Sequence, residues 1–262
     1  MTELHLWCLP EAGAELGRIA ALAETRLSNE ERQRHQGMSA EGRARRFLLG
    51  RLLLREALGH HLTRDPSELV FGETANGKLY LVSPGSTGWD FCLSHSRHES
   101  IVALARSKGV GVDLEDVARG ATVLKIARKL YPAEERRQLE AQAEEVAADT
   151  ALALWTLKES IAKALGQTIW QAVGEISLNF AGTDLSWRSH PSEKSAAEWA
   201  LLAGRFRRHH RFAVALCGTS RGRGDLVVRA HQLGLGKPAA DTFEVTTVAL
   251  PSMCHNFKVA AV

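Results

Sequence analysis

The stretch that decides the fold is W-T-L-K-E-S-I-A-K-A-L-G, residues 155–166. Apolar residues recur at helical spacing through it, so the pattern predicts a helix that begins near Asp149 and ends at Gly166, with one buried face. Glu159 and Lys163 are four residues apart and therefore lie on one side of this helix. A pair of this kind is usually a surface ion pair worth about 0.3 kcal/mol, so its interpretation depends on the rest of the chain.

Composition indicates an ordinary globular protein. The chain has 262 residues, 45% hydrophobic and 24% charged, which is enough for one large domain or two modest ones. A formal net charge of +3 suits an anionic substrate or an acidic protein partner and is too small to indicate nucleic-acid binding. No apolar run reaches the ~18 residues that a membrane span needs, and residues 1–3 lack the basic character of a signal peptide.

The cysteines indicate the cellular compartment. They are far apart and form no C-x-x-C pair, which predicts buried thiols in a reducing environment: Cys8, Cys92, Cys217 and Cys254. We therefore expect a cytoplasmic protein.

An unusually basic segment covers residues 32–55, with arginines at 32, 34, 43, 45, 46, 51 and 55. Apolar residues give its second half a core face, so we expect a helix from about Glu41 to Leu58 that is closed by Gly59. Arginines on a helix face are usually solvated. Their density here nevertheless makes this segment the favoured source of phosphate ligands.

Two acidic residues share one predicted strand, residues 109–117. Asp113 and Glu115 are two residues apart and point to the same side, while Val112 and Leu114 point into a core. Paired carboxylates repel each other and are costly to desolvate, and a bound Mg²⁺ is the simplest compensation. The alternative is an edge strand whose polar face is solvated.

The remaining segments supply fewer signals. Residues 69–82 predict a hairpin with a turn at Asn76-Gly77, and residues 91–96 predict a strand that ends in small polar groups. Pro132 opens an acidic helix, and residues 140–148 suggest a solvent-facing arm or connector. Beyond Gly218 the pattern weakens, so we expect a mobile or loosely packed extension.

Three motifs occur in register: F-C-L-S-H-S (91–96), G-V-D-L-E (111–115) and W-T-L-K-E-S-I-A-K (155–163). Together they resemble the signature of the Sfp-type 4′-phosphopantetheinyl transferases. A weaker likeness, through F-L-L-G-R (47–51) and N-G-K (76–78), extends the resemblance over roughly residues 4–217. Enzymes of this family transfer the phosphopantetheine arm of coenzyme A to a serine of an acyl or peptidyl carrier protein and release 3′,5′-ADP.

The resemblance implies an architecture. We expect an α+β pseudo-dimer of two similar halves, with coenzyme A bound in the cleft between them and the protein acting as a monomer. The first half would cover residues 1–107. The second, residues 108–218, would carry the metal and catalytic motifs, and residues 219–262 would form an extension of unknown role.

The resemblance also implies roles for individual residues. Asp113, Glu115 and Glu159 would hold Mg²⁺ together with the pyrophosphate of coenzyme A. Glu159 would either serve as general base as well or act only as a metal ligand, and Lys163 would stabilise the leaving 3′,5′-ADP. Further ligands of coenzyme A would be Arg46, Arg51, Lys78, Ser94, His95, Lys158 and Lys163.

Some of these roles stay open. Ser94 and His95 would hold either the 3′-phosphate or the pyrophosphate, and a phosphate beside His95 would favour its charged form. Lys158 would either contact phosphate or brace the motif, and Glu135 matches a family acid of unsettled role.

One position departs from the family pattern. Near residues 31–34, where two lysines would bind the 3′-phosphate, the chain has Glu31 and Arg34. Arginine can replace lysine as a phosphate ligand, but glutamate cannot. Either Arg32 or Arg45 supplies the second contact, or the alignment with the family shifts here.

Two other functions compete with the transferase. A Mg²⁺-dependent phosphohydrolase acting on a nucleotide pyrophosphate would use the same carboxylates, although such enzymes usually place more acids or histidines around two metals. A non-catalytic module that binds carrier protein or nucleotide would have no need of Glu159. We favour the transferase, with coenzyme A and a carrier protein as partners and neither nucleic acid nor membrane. The pathway served is left open: fatty acid, polyketide or nonribosomal peptide.

Overall fold

The structure, a computed structural model, describes residues 2–9, 17, 21–23, 25–96, 99–181, 184–189, 199–218, 226–233, 243–249 and 257–261. The helices are α1 (Asn29–Gln36), α2 (Glu41–Leu62), α3 (Gly120–Leu130), α4 (Ala133–Glu140), α5 (Glu144–Leu165) and α6 (Ile169–Ala172). The strands are β1 (Thr2–Cys8), β2 (Val70–Glu73), β3 (Leu79–Ser83), β4 (Asp90–Ser96), β5 (Glu99–Ala105), β6 (Gly109–Asp116), β7 (Ser177–Ala181), β8 (Asp184–Ser189), β9 (Trp199–Phe206), β10 (His210–Cys217), β11 (Leu226–Gln232), β12 (Phe243–Ala249) and β13 (Phe257–Ala261). The predicted α+β class is confirmed.

Two larger sheets organise these strands. The first has the order β13-β11-β1-β5-β4 and the second β12-β9-β10-β6. Within them the neighbouring pairs are antiparallel except β1–β11 and β11–β13, which are parallel. Two short ladders, β2–β3 and β7–β8, lie outside the larger sheets.

The two larger sheets share a core because apolar residues alternate along their strands. On β6, Val110, Val112 and Leu114 are buried in one cluster with Leu4 and Leu6 of β1. Helix α2 covers the other face of the first sheet, and α5 covers the other face of the second. The layers are therefore helix, sheet, sheet and helix.

Helix α5 ends where the sequence predicts and begins earlier. Gly166 has a left-handed backbone (φ 69°), and its N–H donates to the Lys163 carbonyl at 3.1 Å. The helix starts at Glu144 and not near Asp149, so residues 144–148 are not the predicted arm or connector. Small alanines can pack closely, and Ala147 is fully buried in the cluster beneath α5.

Helix α2 runs past its predicted end. It continues to Leu62, and Thr63 takes the left-handed conformation (φ 52°). Gly59 lies inside the helix, where a Cβ atom would come 2.8 Å from the ring of Pro66. The prediction that Gly59 ends the helix is therefore wrong. The glycine instead permits close packing against Pro66.

The prediction of a loosely packed extension is wrong for β11. This strand lies between β1 and β13, and Leu226, Val228 and Ala230 are buried in the core that the two sheets share. Parallel pairing requires a long connection between the two strands, and the residues between β1 and β11 provide it.

Two further sequence predictions concern cysteines and membranes. Cys8, Cys92 and Cys217 are buried free thiols, as expected, and Cys254 lies outside the described residues. Within the part of the chain that the structure describes, no helix is long and apolar enough to cross a membrane.

Helix α5 lies unusually close to β6. A Cβ atom on Gly111 would lie 1.8 Å from the Ser160 carbonyl oxygen and 2.6 Å from the Ala164 nitrogen. Both contacts are with helix backbone, which cannot move as a flexible side chain would. Glycine is therefore required at position 111 for the helix to rest on the strand.

We expect Gly111→Ala to lower the free energy of unfolding by ~3 kcal/mol or more, because the added methyl group pushes α5 away from β6. Urea denaturation followed by circular dichroism measures this. Gly174→Ala is the matched control, since its Cβ would meet its nearest atom, the Leu130 carbonyl oxygen, at an ordinary 3.7 Å. Equal unfolding free energies for the two variants would contradict the close contact.

Candidate active site

Three carboxylates converge where β6 meets α5. Asp113 and Glu115 of β6 and Glu159 of α5 each place a carboxylate oxygen within 4.8 Å of the other two. Asp113 and Glu115 are buried, whereas Glu159 is half-buried. The prediction that the two strand acids share a face is confirmed, and the helix supplies the third acid.

The carboxylates disfavour one another's charged forms. Desolvation and the negative charge of Asp113 raise the pKa of Glu115 to about 7, although Arg119 opposes the shift. The same two causes raise the pKa of Glu159, and Lys163 opposes them. Within the described part of the chain, Asp113 Oδ2 is buried and accepts no hydrogen bond. An oxygen-rich cluster of this kind fits a hard cation such as Mg²⁺.

Lys163 joins this cluster to strand β4. Its Nζ lies 2.7 Å from Asp113 Oδ1 and 3.5 Å from Glu159 Oε1, and it donates to Ser94 Oγ at 3.2 Å. Ser94 in turn donates to Asp113 Oδ1 at 3.1 Å. Desolvation alone would lower the pKa of Lys163, but Asp113 and Glu159 outweigh it and raise the pKa above its usual value. The pair Glu159–Lys163 is therefore part of a network and not an isolated surface pair.

A basic cleft of about 400 Å³ adjoins the carboxylates. It is lined by basic side chains from five elements or loops, namely Arg34, Arg43, Arg46, Arg51, Lys78, His95 and Lys163. Arg46, His95 and Lys163 also line the space above the carboxylates, so the basic and acidic parts form one continuous cleft. Such a cleft can hold an anionic ligand at one end and a cation at the other.

Two of the predicted ligands in the cleft also contact protein groups. Lys78 Nζ lies 2.8 Å from Asp90 Oδ2 and donates to the Val110 carbonyl at 3.2 Å. Arg51 is mostly buried, with its guanidinium 5.4 Å from the centre of the Phe47 ring. These contacts fix both side chains at the wall of the cleft.

His95 lies at the joint between the basic and acidic parts. Partial desolvation and the positive charges of Lys163 and Arg46 lower its pKa, while Asp113 opposes them. The imidazole is therefore neutral at pH 7 in the free protein, and a phosphate beside it would favour the charged form.

Glu31 has a structural role that accounts for the departure from the family pattern. Its Oε2 accepts hydrogen bonds from Ser28 N at 3.0 Å, which caps α1, and from Arg55 Nε at 2.8 Å. Arg55 is 1% exposed and needs this charge partner. Glu31 does not line the basic cleft, whereas Arg34 does.

The prediction that Lys158 binds coenzyme A is wrong. Its side chain is fully buried and lines neither part of the cleft. Lys158 Nζ lies 2.8 Å from Glu135 Oε2, donates to the Val173 carbonyl at 3.0 Å and lies 4.6 Å from the centre of the Tyr131 ring. Adjacent helix residues point about 100° apart, so Lys158 braces α5 while Glu159 faces the cleft.

The same contacts give Glu135 a role that the sequence did not reveal. Glu135 is fully buried on α4, and its Oε1 accepts a hydrogen bond from Leu178 N at 2.8 Å. The buried pair Glu135–Lys158 therefore ties α4, α5 and β7 together.

We expect Lys158→Met to lower the free energy of unfolding by ~3 kcal/mol, because it leaves the Glu135 charge buried without its partner. The double variant Glu135→Gln/Lys158→Met should recover part of that loss, which a double-mutant cycle in urea measures. Lys129→Met, at an exposed lysine of α3, is the control and should change stability by about 0.5 kcal/mol or less. Weakened binding of coenzyme A to Lys158→Met with unchanged stability would contradict the bracing role.

Comparison with known proteins identifies the family. A family model described as the 4′-phosphopantetheinyl transferase superfamily matches residues 109–217, which include the three carboxylates and Lys163. The 4′-phosphopantetheinyl transferase HetI of Nostoc sp. is 29% identical over 202 residues, covering 76% of this chain and 81% of HetI.

Two further relatives carry the same description. The 4′-phosphopantetheinyl transferase AcpT of Salmonella typhimurium is 30% identical over 159 residues, covering 60% of this chain and 76% of AcpT. A 4′-phosphopantetheinyl transferase of Bacillus subtilis is 31% identical over 156 residues, covering 60% of this chain and 65% of that protein. The resemblance read from the three motifs is thus confirmed, and the chain belongs to the 4′-phosphopantetheinyl transferase superfamily.

Proposed function

We propose that this chain transfers the 4′-phosphopantetheine arm of coenzyme A to a serine of an acyl or peptidyl carrier protein and releases 3′,5′-ADP. The observation that carries the proposal is the convergence of Asp113, Glu115 and Glu159 beside a basic cleft, in a chain of this superfamily. The named relatives support it, because each is described as a 4′-phosphopantetheinyl transferase.

The three carboxylates would hold Mg²⁺, which prefers oxygen ligands and leaves coordination positions for phosphate oxygens and water. Support comes from Asp113 Oδ2, which is buried and has no hydrogen-bond partner among the described residues. Burial and the neighbouring negative charge of Asp113 also raise the pKa values of Glu115 and Glu159, and a bound cation would oppose both shifts. When bound, the ion would neutralise the pyrophosphate of coenzyme A and stabilise charge that develops during transfer.

The basic part of the cleft would hold the phosphates of coenzyme A. Its charged side chains supply several donors for phosphate oxygens, and arginine can bind a phosphate with two parallel hydrogen bonds. The residues proposed for this role are Arg46, Arg51, Lys78, Ser94, His95 and Lys163. Lys163 lies between the carboxylates and the basic wall and would therefore contact the pyrophosphate.

The reaction moves a phosphoryl group between two oxygens. The carrier serine Oγ attacks the phosphorus that bears pantetheine and forms a new P–O bond. The bond from that phosphorus to the bridging oxygen breaks, and its electron pair leaves with 3′,5′-ADP. Glu159 would take the serine proton directly or through water, and Lys163 would stabilise the charge on the leaving oxygen.

A phosphohydrolase is not favoured. Three carboxylates suit one cation, whereas hydrolases of that kind usually surround two metals with additional acids or histidines. The relatives reported above are all described as transferases. The mildly basic charge of +3 also suits an acidic carrier protein. A pseudo-dimer divided near residue 107, a monomeric state and a cytoplasmic location stay predictions from the sequence.

Incubating an apo-carrier protein with the purified chain, coenzyme A and Mg²⁺ should add one phosphopantetheine mass to the carrier, detected by mass spectrometry. Asp113→Ala and Glu159→Gln should each slow this transfer about 10³-fold, because each removes a carboxylate from the cluster. Glu145→Gln, at an exposed acid of the same helix, is the control and should retain the normal rate.

Four results would contradict the proposal. No mass gain across several apo-carrier proteins would exclude the transferase. Rapid release of 3′,5′-ADP without a carrier would indicate the hydrolase. Unchanged kinetics in either acidic variant would place the metal elsewhere. An undiminished rate in excess EDTA would show that the transfer needs no divalent metal.

We expect Lys78→Ala to raise the KM for coenzyme A about tenfold while kcat changes less than about twofold. Lys78 lines the basic wall and would bind the ground state and the transition state alike. Steady-state kinetics at saturating carrier protein measure both constants, with Lys125→Ala on the exposed face of α3 as control. A lowered kcat at constant KM would contradict this role.

A further inference from the structure

A cluster of histidines lies outside the active-site cleft. His5 of β1, His61 of α2 and His231 of β11 each place a ring nitrogen within 4.8 Å of the other two. His5 Nδ1 and His231 Nε2 are 3.0 Å apart, and the ring centres of His5 and His61 are 4.1 Å apart. None of the three lines either part of the cleft.

Three elements distant in sequence bring these rings together. Strands β1 and β11 are parallel neighbours, with Trp7 opposite His231 in the register. Helix α2 reaches the same place because it continues beyond Gly59 to Leu62. The cluster therefore depends on the two features that the sequence did not reveal, the longer helix and the buried strand β11.

Surrounding groups orient the three rings. The Trp7 indole stacks on His231 with ring centres 4.4 Å apart, and Trp7 Nε1 donates to His61 Nε2 at 3.3 Å. Glu3 Oε2 lies 3.6 Å from His5 Nε2, and Arg229 holds the other oxygen of Glu3 at 2.8 Å. A carboxylate behind a histidine ring is the usual second contact of a metal-binding imidazole, because it fixes the ring and its tautomer.

The environment also keeps the rings in the form that binds metal. Burial lowers the pKa of His61 to about 4 and of His231 to about 3, with the neighbouring histidines adding to both shifts. Burial likewise lowers the pKa of His5, although Glu3 opposes the shift. At pH 7 the cluster therefore presents neutral imidazoles.

We propose that His5, His61 and His231 form a Zn²⁺ site. Imidazole nitrogens are preferred Zn²⁺ ligands, and three of them occupy three positions of a tetrahedral ion, with water in the fourth. The absence of a carboxylate among the three ligands disfavours Mg²⁺, which selects oxygen. His61 is half-buried, so an ion can reach the site from solvent.

A metal bound here would act as a structural clip. It would connect the first strand of the chain, the end of α2 and a strand that follows the region matched by the family model. Because a ligand that binds only the folded state stabilises it, Zn²⁺ should raise the melting temperature.

The test uses the full chain, freed of metal with a chelator and then dialysed against Zn²⁺ with excess Mg²⁺ to occupy the carboxylate cluster. Elemental analysis should find about one retained zinc per chain. A hundredfold excess of Zn²⁺ over its Kd should raise Tm by at least about 5 °C. Co²⁺, used as a spectroscopic substitute, should give the strong visible absorption of a tetrahedral nitrogen-ligated ion.

Matched variants separate this site from other histidines. His5→Gln and His231→Gln should lose the retained zinc, the Tm shift and the Co²⁺ absorption. His60→Gln is the control and should keep all three, since His60 is exposed and lies outside the cluster.

Two outcomes would overturn the proposal. One is a wild-type chain that retains no zinc and gives no tetrahedral Co²⁺ absorption, a result that needs no variant to fold. The other is His231→Gln that folds normally by circular dichroism and still retains zinc. Because neither readout depends on catalysis, failure here is distinguishable from failure of the transferase proposal.

Discussion

The close contact between α5 and β6 at Gly111 is the constraint on which the active site depends. Gly111, Asp113 and Glu115 alternate along one face of β6, so the residue without a side chain stands directly before the two acids. The missing Cβ lets the helix backbone rest on the strand. The helix backbone in this contact belongs to Ser160 and Ala164. Glu159 and Lys163 directly precede these two residues, and their side chains reach Asp113. One absent side chain thus sets the spacing of the charged groups.

The opposite side of α5 is held by a buried charge. Lys158 is surrounded by oxygens of Glu135, Val173 and Ile176, so its ammonium group is compensated although it is fully removed from water. Neighbouring residues of one helix therefore have different tasks: residue 158 anchors the helix, and residue 159 enters the cleft. Fixing the helix from both sides limits how far its carboxylate can move relative to the strand.

Features set by local periodicity could be predicted from the sequence. The alternation of β6, the apolar face of α5 and its end at Gly166 depend on neighbouring residues, and each was found as expected. The convergence of the three carboxylates followed only from the family motifs. Spacing within β6 could place Asp113 and Glu115 on one face, but it could not locate the helix.

Features set by distant contacts could not be predicted. Gly59 looks like a helix end until Pro66 is seen packed against it, and Lys158 looks like a phosphate ligand until Glu135 is seen beside it. The parallel pairing of β1 with β11 joins strands that are far apart in the sequence and has no local signal. The three histidines that meet there lie in segments far apart in the sequence, so no spacing rule would have grouped them.

The position of β11 also determines where the chain can be shortened. A protein that ended at Gly218 would keep every residue matched by the family model, yet β1 would become an exposed edge strand with unpaired backbone groups. It would also lose Leu226, Val228 and Ala230 from the core. Open apolar edges promote association between chains, so the region matched by the family model is smaller than the unit that keeps this edge of the sheet covered.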